Sequence, residues 1–259
     1  MLVLALDSSA TASVALARID SDAPGASAEI LASYESEDTR SHAEVMGPYA
    51  QAALQDAGVR GEDLDAILTG TGPGPFTGLR AGIVTARALG FAWSVPVYGM
   101  MSLTALAERA YQERIFAQGG GAGGTEDAEL LVASDARRRE VYSARYRVNA
   151  EGYSLVDGPN VCPASEILPG GAPSYAYGYG AGLYSETLEE HGWTIVESAR
   201  EVHPHAEYLV AAAARLGVEN LSEDTSAQYL RDSDAKVPAA MLARQQKQAA
   251  AQETGQKES

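Results

Sequence analysis

The sequence predicts an α/β protein in which mixed sheets are flanked by helices, arranged as two similar halves. Three observations predict it. The chain has 259 residues, a length that suits one large domain or two small ones and can bury a core without disulfide staples. Short aliphatic runs alternate with helical periodicity through the first part of the chain, the pattern of a mixed α/β layer. A second such pattern starts after a glycine-rich break. The expected boundaries are a first lobe at 1–116, a linker at 117–128, a second lobe at 129–243 and a polar tail at 244–259.

LVLALD (Leu2 to Asp7) and ASVALARI (Ala12 to Ile19) are aliphatic runs joined by a short polar turn, a hairpin signature, and ILASYESE adds a third strand. In SHAEVMGPYAQAALQDAG the residues Val45, Met46, Tyr49, Ala53, Leu54 and Ala57 share one helical face, and Gly58 supplies the stop. Pro48 must stand in the first turn of that helix or kink it. LDAILTGTG reads as a buried strand, TGLRAGIVTARALGFAW as a helix, VPVYGM as a strand and SLTALAERAYQERIF as a helix. The break QGGGAGGTEDA contains a literal GxGxxG (Gly119, Gly121, Gly124), but a helix precedes it and an acidic run follows. It therefore reads as a flexible linker rather than a dinucleotide site. Beyond it come a strand (ELLVASD), a hairpin (REVYSARYRV with GYSLVDG), another strand (SYAYGYG) and two helices (AGLYSETLEEHG and HAEYLVAAAARLG). ALARQQKQAAAQETGQKES has no apolar face and reads as a frayed tail.

Composition narrows the function. A formal net charge of −16 argues against attracting nucleic acid unaided, because that binding is largely phosphate neutralisation by Lys and Arg. The single cysteine, Cys162, excludes an intramolecular disulfide framework and a cysteine-rich zinc site. Asp7 ends the apolar start after six residues with no basic flank, so a first strand is expected there rather than a leader. No run approaches the roughly 20 apolar residues of a membrane span. A soluble, cytoplasmic protein with no membrane partner is the expectation.

Two stretches invite a phosphate. DSSATAS, Asp7 to Ser13, ends the first strand where actin-like ATPases and sugar kinases carry an Asp-x-Gly turn, but the glycine position holds Ser9. Turn-capping by Asp7 and the hydroxyls is the plainer reading. In TGPGPFTGLRAG, Gly72, Gly74 and Gly78 ahead of a helix could hold an anion, though no Walker lysine follows. The architectural alternative has Pro73 and Pro75 stiffening the turn, Phe76 plugging the core and Thr77 capping the helix. Gly78, Gly82, Ala86 and Gly90 then recur every four residues as a nearly bare stripe. An interior glycine costs about 1 kcal/mol against alanine, which favours a surface approached closely by the domain's own sheet or by a partner's helix.

Histidine supply limits metal chemistry to four residues. His42 lacks its HxxxH partner because position 46 is Met46. His203 and His205 open a helix as cap or surface residues, and His191 suits a helix end. SDARRREVY brings Asp135, Arg137 and Glu140 together at a turn, as a recognition site or, more simply, a solvated ion-pair turn. GxSxG, HExxH and CxxC are all missing from the sequence.

GTGPGPFTGLRAGI after a strand, DARRREVY, LALDSSATASVAL and AQYLR together resemble the TsaB (YeaZ) family over nearly the whole chain, the glycine-rich break and the tail excepted. The motif positions are Gly72, Gly74, Phe76, Thr77, Gly78, Arg80, Asp135, Arg137, Glu140 and Tyr142. The resemblance implies an actin-like ATPase (ASKHA) fold of two RNase H-like lobes. It implies a required, noncatalytic role beside TsaD, which transfers threonylcarbamoyl from its adenylate to the adenosine next to the anticodon of tRNA, with the ATPase TsaE completing the complex. It further implies a heterodimer with TsaD, or a homodimer when alone, through the first lobe's helices, with tRNA reached only through the complex. No catalytic residue, metal or stably held cofactor is expected in this chain; ATP or ADP would fit only where it meets TsaD. Placed on this sequence, the contact falls on Val45, Met46, Tyr49 and the Gly78, Gly82, Ala86, Gly90 stripe. The alternatives are a glycoprotease-like metallohydrolase (peptidase family M22), which needs ligands the chain does not supply, and a small-molecule kinase, which Ser9 disfavours.

Overall fold

The computed structural model describes residues 1–36, 42–113, 127–171 and 173–231. β1 (Leu2–Asp7), β2 (Ser13–Ile19) and β3 (Ala28–Glu35) form an antiparallel meander. β4 (Ala66–Gly70) runs parallel to β1 on its other side, and β5 (Val97–Met100) parallel to β4, giving the order β3-β2-β1-β4-β5. The second sheet is built from β6 (Ala128–Asp135), β7 (Glu140–Val148), β8 (Tyr153–Pro163), β9 (Ser174–Tyr177) and β10 (Thr194–Ile195), in the order β8-β7-β6-β9-β10. There β6, β7 and β8 are the antiparallel meander, and β9 and β10 the parallel strands. One plan is used twice, and this is the two-lobed actin-like arrangement of RNase H-like sheets.

Six α-helices are described: α1 (His42–Ala57), α2 (Phe76–Trp93), α3 (Leu103–Gln112), α4 (Tyr179–Leu183), α5 (Ser185–Glu190) and α6 (Ala206–Leu216). Strand alternation decides what each covers. Leu4 and Leu6 of β1 point into a core with α1 and α2, while Val3 and Ala5 point to α6 on the opposite face. In the second sheet Leu130 and Val132 pack against α3, and Leu131 and Ala133 against α4 and α5. The small residues Ala5, Ala15 and Ala17 let the alanine-rich α6 lie close to its sheet.

These assignments correct the expected boundaries. α3 follows the first sheet in sequence yet packs on the second, and α6 follows the second yet packs on the first. The lobes are therefore not the contiguous segments 1–116 and 129–243, because each sheet takes a helix from the other half of the chain. The crossing is fastened by Glu108, fully buried on α3. It accepts two bonds from the Arg215 guanidinium of α6 at 2.8 Å, and one each from the Tyr153 hydroxyl and the Gln112 amide, both at 2.9 Å. A buried carboxylate needs this degree of satisfaction. Of the expected linker only Asp127 and Ala128 are described, Ala128 opening β6, and the 244–259 tail lies outside the described residues. Pro48 lies beyond the first turn of α1, inside the helix.

Candidate functional site between the lobes

The glycine stripe has an internal partner, the turn after β1. Ser8 places its hydroxyl where a side chain on Gly82 would be: a Cβ there would stand 2.5 Å from Ser8 Oγ. That hydroxyl donates to the Gly78 carbonyl at 2.8 Å and accepts from the Gly82 N–H at 2.9 Å. A Cβ on Gly78 would crowd His42 and the Ser8 carbonyl, and one on Gly90 would overlap Val97 of β5. Ala86 is fully buried in the same core, as is Met46. Thus Met46, Gly78, Gly82, Ala86 and Gly90 are not a surface for a partner, because the chain's own first sheet and its turn occupy them. Val45 and Tyr49 are half-buried against that core.

The same packing closes the turn that resembles a phosphate loop. Gly74 lies on the Ser9 backbone, where an added Cβ would meet the Ser9 carbonyl at 2.5 Å. Ser9 itself turns inward, its N–H and hydroxyl both donating to Asp7 Oδ1, while the Ser102 hydroxyl donates to Oδ2. Asp7 is fully buried, and burial raises its carboxyl above the usual range despite these bonds. His42 Nε2 donates to the Ala10 carbonyl at 3.0 Å, so that the one histidine with a metal-motif position ties down this turn instead. His205 faces Glu35 at 2.7 Å at the start of α6, and the Nδ1 of His191 sits 2.6 Å from the Thr187 carbonyl at the end of α5.

Two further expectations are corrected. Phe76 does not plug the core: it is 47% exposed and packs at a tilt against Tyr229, with the Arg80 guanidinium 3.6 Å above its ring. Thr77 does not cap α2, because the helix already begins at Phe76 with Pro75 as its cap residue. A proline offers no side-chain acceptor.

Three motifs distant in sequence meet here. Arg80 donates to the Tyr229 hydroxyl at 2.8 Å, Arg87 to the Thr225 hydroxyl at 2.7 Å, and the Gln228 N–H to the Thr71 carbonyl at 2.8 Å. Arg231 then reaches the second lobe, donating to the Ala136 carbonyl and pairing with Glu140. Arg137 pairs with Asp135 at 3.1 Å, an exposed contact of small energetic weight. The segment AQYLR is therefore a strap between the lobes. Its residues Tyr229 and Arg231 carried no assigned role in the sequence, since nothing local to these five residues says where they dock.

The strap and the two turns leave two openings. One, of about 310 Å³, is lined by Ser9, Pro75, Asp135, Tyr179 and His203. The Tyr179 and His203 rings meet there at a tilt, 4.7 Å between centroids, and burial lowers the imidazole pKa below its ordinary value. The other, of about 390 Å³, lies between Phe76, Tyr142, Tyr229 and Arg138. On the far face of α2, Val84 is 62% and Phe91 91% exposed, an apolar strip on that helix. No helix among the described residues is long and apolar enough to cross a membrane.

The family model of TsaD, tRNA N6-adenosine threonylcarbamoyltransferase, matches residues 29–239. An uncharacterised protein of Mycobacterium tuberculosis (strain H37Rv) is 45% identical over 145 residues, 54% of this chain and 59% of that protein. The tRNA threonylcarbamoyladenosine biosynthesis protein TsaB of Escherichia coli (strain K12) is 34% identical over 113 residues, 44% of each. The alignments thus span well under two thirds of these curated relatives. Among solved structures, YeaZ from Pseudomonas aeruginosa superposes with a TM-score of 0.69 at 31% identity, over 88% of this chain and 99% of that one. The chain therefore belongs to the tRNA N6-adenosine threonylcarbamoyltransferase (TsaD) family and, within it, to the TsaB (YeaZ) branch.

Proposed function

We propose that this protein is a noncatalytic subunit in the formation of threonylcarbamoyladenosine on tRNA, acting beside a TsaD-type transferase. Family membership supports the process. The observation that carries the noncatalytic half is the closed turn after β1: Gly74 covers it, Ser9 is bonded inward to Asp7, and His42 is spent on Ala10. A phosphate needs free, outward amides at such a turn. The same closure weighs against a kinase reading. In this reading no resident cofactor or metal belongs to the chain, and ATP or ADP would be held only where it meets TsaD. TsaE joins the assembly, tRNA is reached through it, a second copy substitutes for TsaD when the chain is alone, and the complex works in the cytoplasm.

The exposed strip of Val84 and Phe91 is the surface this reading assigns to TsaD, in place of the buried stripe. Exposed aromatic anchors of this kind dominate association energies. The test is reconstitution of TsaD, TsaE, threonylcarbamoyl-adenylate and tRNA, with and without this chain. Modification should require it, and Phe91→Glu, which touches no core, should reduce TsaD binding at least about tenfold with an unchanged melting temperature. Equal modification without the chain would overturn the function; unaltered binding by the folded variant would overturn only the surface.

A further inference from the structure

We infer that the strap is a releasable latch on the angle between the two lobes, and that a protein seated on the Val84 and Phe91 strip of α2 tightens it. The coupling rests on the assignment of that strip to TsaD above; the latch itself does not. On the first lobe the strap starts at Ser222, whose carbonyl accepts from the Gly99 N–H of β5 at 2.8 Å. It continues through Thr225 on Arg87, Gln228 on Thr71 and Tyr229 on Arg80, and ends on the second lobe with Arg231 at Ala136 and Glu140. Beneath that end an opening of about 390 Å³ separates Phe76 from the 136–142 turn, so the lobes do not pack together there. The fastening is largely polar. A core strand is held by apolar burial, whereas a bond such as Arg80 to Tyr229, made at the surface, competes with water and opens at low cost. Gln228 adds a cost to staying docked, since its side-chain oxygen is buried with no hydrogen-bond partner among the described residues.

Helix geometry links the latch to a partner. Arg80, Val84, Arg87 and Phe91 follow one another at spacings of four, three and four residues, and form one exposed stripe along α2. The two arginines that hold the strap therefore alternate with the two apolar side chains that would meet TsaD. A protein covering Val84 and Phe91 also excludes water from the Arg80 and Arg87 bonds, and a hydrogen bond strengthens as its surroundings become less polar. By reciprocity, a docked strap raises the affinity for that protein by the same factor.

The test uses the full chain and two readouts. Spin labels at Glu62→Cys on the first lobe and Glu189→Cys on the second, both exposed positions, in a Cys162→Ser background, report the distance between lobes. Hydrogen exchange reports the Gln228 N–H that bonds to Thr71. Arg231→Ala should lengthen and broaden the lobe distance and speed exchange at Gln228 at least about tenfold, the worth of a hydrogen bond from a charged group. Tyr229→Phe loses only the hydroxyl that accepts from Arg80 and keeps the ring; it should speed exchange about threefold, and it preserves the test if Arg231→Ala does not fold. Adding TsaD should slow that exchange at least about threefold in the parent, and TsaD should bind Arg231→Ala more weakly by up to the same factor. Lobe distance and Gln228 exchange unchanged in both variants would overturn the latch. TsaD binding that Phe91→Glu weakens, but that leaves Gln228 exchange unaltered, would overturn the coupling and spare the surface. TsaD binding untouched by Phe91→Glu would overturn the surface and the coupling together, and the lobe distance decides the latch in either case.

Discussion

The turn between β1 and β2 and the turn between β6 and β7 occupy the same position in a repeated plan, and they have opposite characters. In the first, Asp7, Ser8 and Ser9 are all at most 4% exposed, and the glycines of α2 and its loop press on them. In the second, Arg137, Arg138 and Arg139 stand exposed with φ of 61°, 56° and 64°, a left-handed run rare for residues with side chains. Topology fixes where a turn lies, and what packs on it decides whether it is architecture or surface. The first is sealed by a bare helix. The second faces an opening and is held by the strap through Glu140 and Ala136.

The largest test of that contrast is Gly82→Leu. A Cβ alone would stand 2.5 Å from Ser8 Oγ, and the hydroxyl would lose its seat between Gly78 and Gly82. Overpacking and a stranded buried hydroxyl together should destabilise by about 3–5 kcal/mol. Denaturant unfolding measures it. A variant as stable as the parent would mean that the stripe is not sealed by the turn.

A smaller effect separates burial from bonding within the first turn. The folded-state pKa of Asp7 is raised above its unfolded value, chiefly by burial, so the native state holds this proton more tightly. Its contribution to stability is therefore fully present below about pH 3.8, the unfolded value, and lost as pH rises through the folded one. Asp7→Asn keeps an acceptor for Ser9 and carries no charge. Its stability relative to the parent should improve from pH 4 to pH 8, by on the order of 1 kcal/mol. Melting temperatures at the two pH values check this, and a difference independent of pH would locate the cost elsewhere.

Much of this was legible in the sequence, unevenly. The short aliphatic runs LVLALD and AILTG announced strands because a continuous apolar run closed by turn residues is a local signal, and the bare stripe announced close approach. The identity of what approached was not local. Ser8 fills the space at Gly82 from 74 residues away, a pairing that periodicity cannot contain. The exchange of α3 and α6 between lobes escaped for the same reason, since α6 is amphipathic whichever sheet it covers. Phe76 misled because an aromatic among glycines and prolines suggests a plug, whereas its partners Arg80 and Tyr229 make a platform outside the core. Met46 and the stripe were placed on a partner surface because an apolar helix face looks the same whether it meets its own sheet or another protein.

The smallest expected effect lies in the second turn, at Arg139→Gly. Arginine at a φ of 64° bears a left-handed strain of about 1 kcal/mol that glycine does not. Glycine, in turn, gives up more backbone freedom on folding, by roughly 0.5–1 kcal/mol. The two nearly cancel, and the exposed side chain of Arg139 contributes no buried contact to lose. Stability should stay within about 0.5 kcal/mol of the parent, as for surface changes in general. If unfolding instead showed a loss comparable to Gly82→Leu, the second turn would be as much a part of the architecture as the first, and the asymmetry between the lobes would fail.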